Sequence, residues 1–131
     1  MIALDTSAIV GVVLAEDDAE TLASAIAARP CIVGANVLFE AHMVLRRRQG
    51  DDALALMRSL VIRGGVKIAP FDHALAELAA HAWDRYGKGC GHPAQLNFGD
   101  CMSYAVAKFH DVPLLYKGDD FAATDIRSAL P

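Results

Sequence analysis

Short apolar runs alternate with amphipathic stretches along this chain, and the two periods, near 2 and near 3.6 residues, mark out its elements. Ile2-Ala3-Leu4 ends at Asp5, and Thr6 and Ser7 open an apolar stretch over Ala8–Ala15, so the start reads as a strand at Met1–Leu4, a turn and a helix. Asp17 and Glu20 have capping-box spacing at the head of a second helix that ends near Arg29-Pro30. Cys31–Val33 reads as a strand, helices follow at Asn36–Arg48 and Asp51–Arg63, and Gly64-Gly65 breaks the pattern before a strand at Val66–Ala69. Beyond Pro70 a helix over Asp72–Tyr86 gives way to a loop, Gly87–Gln95, and a helix at Asn97–His110 precedes a β-type run at Val112–Tyr116. A weaker strand is expected near Asp125–Arg127. Strands separated by helices predict an α/β fold whose central parallel sheet is covered on both faces.

The chain has 131 residues, close to the modal size of one domain, and at 54% apolar and 21% charged it carries enough hydrophobic side chain for a large core. A formal net charge of −4 excludes a general attraction to polyanions or anionic membranes, so any nucleic-acid contact has to be local. No basic flank of a signal peptide precedes the first apolar residues, and the early charge-free run Thr6–Ala15 is far short of a bilayer span, which predicts a soluble, cytoplasmic protein with no membrane contact. Cys31, Cys90 and Cys101 are an odd number without CxxC spacing, so neither a disulfide framework nor a zinc ribbon is encoded. Phosphate-loop, nucleophile-elbow and HExxH motifs are absent; Gly87, Gly89 and Gly91 follow a helix and therefore do not form a dinucleotide fingerprint.

Carboxylates carry the chemistry instead. Asp5 closes an apolar run and precedes an apolar helix, which places it at the carboxyl end of a strand, where open α/β sheets gather ligands; alone, it is equally a turn or N-cap aspartate. Glu40 falls at the edge of a helix face made by Val37, Leu38, Ala41, Val44 and Leu45, where it either borders a cleft or pairs with an arginine. Asp100 stands three residues after Asn97 and fits a helix cap, yet the residues after it are uncharged as far as Lys108. Asp119 and Asp120 follow the last strong strand through Lys117-Gly118, as a surface turn would. Taken together, one acid at each of two strand ends and one on each of two helices make a crowd that needs protons or a cation to neutralise it. Oxygen donors without His or Cys select a hard ion, Mg²⁺ or Mn²⁺, of the kind that assists phosphodiester hydrolysis.

The segments ALDTSAIVGVVLAE, NVLFEAHMVL, NFGDCMSYAVAK and VPLLYKGDDFAATDI, in this order and spacing, resemble those of the PIN-domain ribonucleases, specifically the VapC-type toxins of bacterial toxin–antitoxin pairs. The resemblance spans Met1 to about Ile126 and implies a single PIN domain over residues 1–131, with a three-layer α/β/α fold around a parallel sheet of four to five strands. It implies a Mg²⁺/Mn²⁺-dependent endoribonuclease that hydrolyses RNA phosphodiester bonds and has a cognate VapB-type antitoxin and a homodimeric state. Matched residue by residue, the first acid is Asp5, followed by Thr6 and Ser7; the glutamate is Glu40 and the third acid is Asp100. Many relatives carry an acid where this chain has Gly118, and the resemblance moves the fourth acid to Asp119, with Asp120 next. On this reading Asp5 and Asp100 hold the metal, while Glu40 and Asp119 hold its water or a second ion.

Charge is unevenly spread: residues 1–40 sum to −5, residues 41–70 to +4 and residues 71–131 to −3. Arg46, Arg47 and Arg48, with Arg58, Arg63 and Lys67, could lead an RNA backbone toward the acids, or the three arginines could simply complement a helix C-terminus. The helices Asp17–Arg29 and Asp51–Arg63 carry Leu22, Ile26, Leu54, Leu56, Met57, Leu60 and Val61, more apolar surface than one small fold is expected to bury, which suits a groove for the antitoxin. Two other readings use the same features: a catalytically inactive PIN-like module that only binds a partner protein, and a receiver-type signalling domain. The receiver needs an acceptor aspartate at the end of its third strand, where this chain has Pro70-Phe71. A haloacid-type phosphatase needs a DxD, which Asp5-Thr6-Ser7 lacks.

Overall fold

The computed structural model describes residues 1–131. Four short strands, β1 (Ile2–Leu4), β2 (Cys31–Gly34), β3 (Lys67–Ala69) and β4 (Leu114–Leu115), pair in parallel in the order β3-β2-β1-β4. Six helices connect them: α1 (Thr6–Val13), α2 (Ala19–Ala28), α3 (Ala35–Arg48), α4 (Asp51–Arg63), α5 (His73–Tyr86) and α6 (Phe98–His110). Period-2 alternation sorts the strand side chains into two cores. Ile2, Leu4, Cys31, Val33 and Leu115 join α1–α4 on one face, and Ala3, Ile32, Ala69 and Leu114 join α5 and α6 on the other. The central strands are therefore apolar at every position, as a sheet covered on both faces requires.

Several boundaries differ from the sequence pattern for identifiable reasons. No turn separates β1 from α1: the helix begins at Thr6, with Asp5 as its N-cap. The Asp17/Glu20 capping box does not form; Asp18 takes the cap position without a side-chain cap bond, and its carboxylate lies 3.3 Å from the Lys117 ammonium instead. The strand expected at Asp125–Arg127 is replaced by one isolated bridge between Leu114 and Ser128, with the Leu114 N–H donating to the Arg127 carbonyl at 2.9 Å. The apolar residues of α2 and α4 are better buried than their number suggested: Leu22, Ile26, Leu54 and Met57 are in the core, while Leu56 remains 55% exposed.

Candidate active site

Asp5 is the only charged residue in the core, at 5% exposure. Its backbone N–H donates to the Leu115 carbonyl at 3.0 Å, which extends the β1–β4 pairing and fixes the carboxylate at the sheet's carboxyl edge. Asp5 Oδ2 accepts from the Ser7 N–H at 3.0 Å and from Ser7 Oγ at 2.5 Å, and Ser7 Oγ in turn accepts from the Lys117 N–H at 2.9 Å. The cap role and the site role thus coincide on one side chain: Oδ2 closes the helix, and Oδ1 makes no hydrogen bond to protein. No cation answers the buried charge. The ammonium of Lys117 is drawn away to Glu16 at 3.1 Å and Asp18 at 3.3 Å.

Glu40 lies on α3, and its Oε1 accepts a hydrogen bond from Thr6 Oγ1, so the residue after the first acid steers the second. Its carboxylate also packs against Gly99, at the point where a Cβ on that residue would stand. Gly99 carries no candidate chemistry in the sequence, yet a glycine in the first turn of a helix is a propensity cost with a reason behind it, and here the reason is space for Glu40. Asn36, one turn before Glu40, was also not singled out by sequence. Both polar atoms of its amide are buried without a partner, an open polar demand on the same helix face.

Asp100 completes a capping box with Asn97: Asp100 N–H donates to Asn97 Oδ1 at 2.8 Å, and Asn97 N–H donates to Asp100 Oδ2 at 3.0 Å. Burial pushes its carboxyl up to about 6; the Asn97 N–H opposes the rise, and the nearby charges of Asp5, Asp120 and Glu40 add to it. Three acids from β1, α3 and α6 therefore share one electrostatic neighbourhood.

The turn after β4 offers two exposed candidates for the fourth acid. Gly118 sits at φ +91°, a conformation that L side chains rarely adopt, so this turn leaves no comfortable place for an acid at that position. Asp119 and Asp120 are both exposed, and it is Asp120, next to the buried Phe121, whose charge reaches Asp100. One member of the basic block is engaged elsewhere. Arg46, six residues and about 9 Å along α3 from Glu40, pairs with Asp51 at 2.6 Å.

These side chains do not close into a ready-made cage of three metal ligands. The donor set is nonetheless all oxygen, with no protein hydrogen bond to Asp5 Oδ1, Glu40 Oε2 or Asp100 Oδ1. That suits Mg²⁺ or Mn²⁺, hard ions, of which Mg²⁺ keeps several waters and takes only one or two carboxylates directly.

Comparison with known proteins gives the family and the fold. The PIN domain family matches residues 2–127. Ribonuclease VapC42 of Mycobacterium tuberculosis is 40% identical over 127 residues, covering 96% of this chain and 97% of its own. Ribonuclease VapC28 of the same organism is 38% identical over 128 residues, covering 97% and 96%. Among solved structures, M. tuberculosis VapC20, a sarcin-ricin loop cleaving toxin, superposes with a TM-score of 0.79 at 21% identity over 96% of each chain, which is a likeness of fold. No helix is long and apolar enough to cross a membrane. The chain belongs to the PIN-domain family, among the VapC ribonucleases.

Proposed function

We propose that this PIN-domain chain is the toxin of a toxin–antitoxin pair and acts as a Mg²⁺- or Mn²⁺-dependent endoribonuclease. One observation carries the reading: the only charged side chain in the core, Asp5, has no cation partner and lies among like charges. A buried carboxylate left so is costly, and the cost is recovered when a cation arrives from outside. Asp5 and Asp100 are the direct ligands in this proposal, Glu40 and Asp120 the supporting acids, with Asp120 preferred to Asp119. When bound, the ion supplies Lewis acidity to the scissile phosphate.

The chain's own residues do the rest. Ser7 locks Asp5 in one rotamer, and Thr6 with Gly99 fixes Glu40, so the oxygens are aimed before substrate arrives. Glu40 Oε2, free of protein hydrogen bonds, accepts the proton of the attacking water as its oxygen bonds to phosphorus. The P–O3′ bond breaks and the departing O3′ takes up a proton from solvent, leaving a 5′-phosphate on one fragment and a 3′-hydroxyl on the other. Incubation with single-stranded RNA should give cleavage that EDTA stops, Mn²⁺ restores and Asp5→Asn abolishes. Cleavage by Asp5→Asn at the wild-type rate would defeat the assignment, and no cleavage by the wild type would favour the inactive partner-binding module.

The antitoxin has a fitting groove of about 810 Å³ between α2, α4 and the end of α1, lined by Val12, Val13, Ile26, Leu56 and Leu60. An apolar helix of the antitoxin tail would occupy it, and the following segment would run back along α1, about 12 Å, to place a basic residue among the acids. Tail inhibition that weakens as Mn²⁺ rises supports this charge mimicry. Homodimerisation belongs to the same proposal, and sedimentation at micromolar concentration checks it.

A further inference from the structure

Lys117 belongs to two networks at once. Its backbone N–H donates to Ser7 Oγ at 2.9 Å and Ser7 Oγ donates to Asp5 Oδ2 at 2.5 Å, so these two bonds in series leave the Lys117 nitrogen no more than about 5.4 Å from the buried carboxylate. A lysine stem reaches about 6 Å from its Cα, far enough to bring the ammonium onto Asp5. It goes elsewhere: Glu16 at 3.1 Å and Asp18 at 3.3 Å hold it over the turn that joins α1 to α2. Three local features place those two acids, and each works against an ordinary preference of the chain. Gly11 stands inside α1, where its propensity is poor, and a Cβ there would lie 2.9 Å from Leu22 Cδ1 and 3.4 Å from Glu16 Oε1. Ala15 adopts φ +52°, at a helix exit that glycine normally takes, and so sends the chain into Glu16. Asp18 occupies the N-cap of α2 and makes no cap bond.

Ion pairs whose members are part-exposed, 36% for Lys117, 29% for Glu16 and 39% for Asp18, return little stability. They do not offset a mid-helix glycine, a left-handed alanine and a forgone cap together. What the turn does secure is the place of the ammonium. On Asp5 that cation would satisfy the buried charge and take Oδ1, the oxygen that makes no hydrogen bond to protein. We propose that Glu16 and Asp18 are positioning residues for metal binding: they hold the Lys117 ammonium away from Asp5, and so leave the acid cluster to an ion from outside. The inference rests on the metal-dependent reading above and adds to it a competitor for the ion within the chain.

Free Mn²⁺ measured by electron paramagnetic resonance gives the affinity of the full chain in four forms: wild type, Lys117→Met, Glu16→Gln/Asp18→Asn, and the triple variant. Asp5→Asn sets the background for binding elsewhere. Gln, Asn and Met keep the shapes of the residues they replace, and Met keeps its N–H on Ser7. In Glu16→Gln/Asp18→Asn the freed ammonium should hold Asp5 in about nine molecules of ten, which raises the Mn²⁺ dissociation constant about tenfold. Lys117→Met should bring the triple variant back to within about twofold of wild type, yet change wild type itself by less than about twofold, so the substitutions are strongly non-additive. A general field effect of the altered charges would instead give Lys117→Met the same factor in both backgrounds, and would overturn the proposal. An unchanged dissociation constant in Glu16→Gln/Asp18→Asn would overturn it too, as would a loss that Lys117→Met does not restore, which would make the turn a structural staple. If urea melts show the double variant unfolded, Asp18→Asn, which cuts one of the two ties, carries the same cycle. Wild type that binds no more Mn²⁺ than Asp5→Asn, by contrast, would strike the metal-dependent reading itself and the guard with it.

Discussion

Helix α6 has a carboxylate centre near each end, and the two are opposites. Toward its C-terminal half, Asp125 accepts from Tyr104 Oη at 2.8 Å and from the Lys108 ammonium at 2.7 Å, with the Arg85 guanidinium at 3.9 Å. Burial alone would raise that carboxyl, but the bonds from Lys108 and Tyr104 outweigh it and hold it below its ordinary range. At the N-terminal end Asp100 is pushed up to about 6 by burial and by acidic neighbours, and no lysine or arginine approaches it. The same helix shows what a carboxylate looks like when it serves the fold and when it waits for a ligand. Satisfied charge is structural; withheld charge is a site.

The sharpest way to break this contrast is Asp100→Asn. Removing a metal ligand should cut RNA cleavage by at least about 100-fold, while Asn still accepts the Asn97 N–H. The carboxyl is higher in the folded chain than its ordinary 3.8, so the native state binds the proton more tightly and stability falls as pH rises from about 4 through about 6. The variant should therefore be more stable than wild type at pH 7, on the order of 1 kcal/mol after solvent screening, and should show no gain at pH 4. Urea melts of the metal-free proteins at both pH values measure this. A variant that is less stable at pH 7 would make Asp100 a structural acid like Asp125.

The mirror experiment is Asp125→Ala. Tyr104 is 1% exposed, and its hydroxyl would lose its partner, which should cost about 1–2 kcal/mol of stability. Cleavage at a temperature where the variant is folded should match the wild type. Loss of activity without loss of stability would show that the two ends of α6 are coupled.

Gly99→Ala separates position from charge. The added methyl would meet the Glu40 carboxylate, the far end of a flexible side chain, so Glu40 should yield and the fold should not. Alanine also has the better helix propensity, and stability should stay level or rise by up to about 1 kcal/mol. The Mn²⁺ concentration for half-activity should rise about tenfold, the scale of losing a group that orients a ligand. Adding Glu40→Asp, one methylene shorter, should recover part of the loss. A double variant no better than Gly99→Ala alone would mean that Gly99 matters for something other than Glu40.

Sequence made the acids legible because a charge between apolar runs has few places to go. Asp5, Glu40 and Asp100 stand out on that ground, and the parallel sheet follows from the spacing of strands and helices. Geometry between elements was not legible. That Thr6 reaches Glu40 across 34 residues, or that Gly99 makes room for it, depends on how α1, α3 and α6 pack. The capping signal misled at Asp17 because Lys117, a hundred residues away, offers Asp18 a stronger partner than a helix N–H. The weaker strand expected near Asp125–Arg127 failed for a related reason: Tyr104 and Lys108 claim that segment through the Asp125 side chain.

The smallest effect tests the turn where the family pattern shifts. Asp119 was the nearer acid to the position that Gly118 fills, and neighbouring turn residues point their side chains apart. The charge of Asp120 is one cause of the rise at Asp100, and its neighbour Phe121, 2% exposed, anchors it. If Asp120 holds water or a second ion at the edge of the site, Asp120→Asn should raise the half-activity Mn²⁺ concentration a few-fold, on the order of 1 kcal/mol or less, and Asp119→Asn should leave it unchanged. Removing the Asp120 charge should also lower the pH below which metal-free Asp100 takes up its proton, since that charge is one cause of its rise. NMR titration of the Asp100 carboxyl reads this directly. A shift on Asp119→Asn and none on Asp120→Asn would support the sequence-based choice and show that the turn after Gly118 carries Asp119 inward.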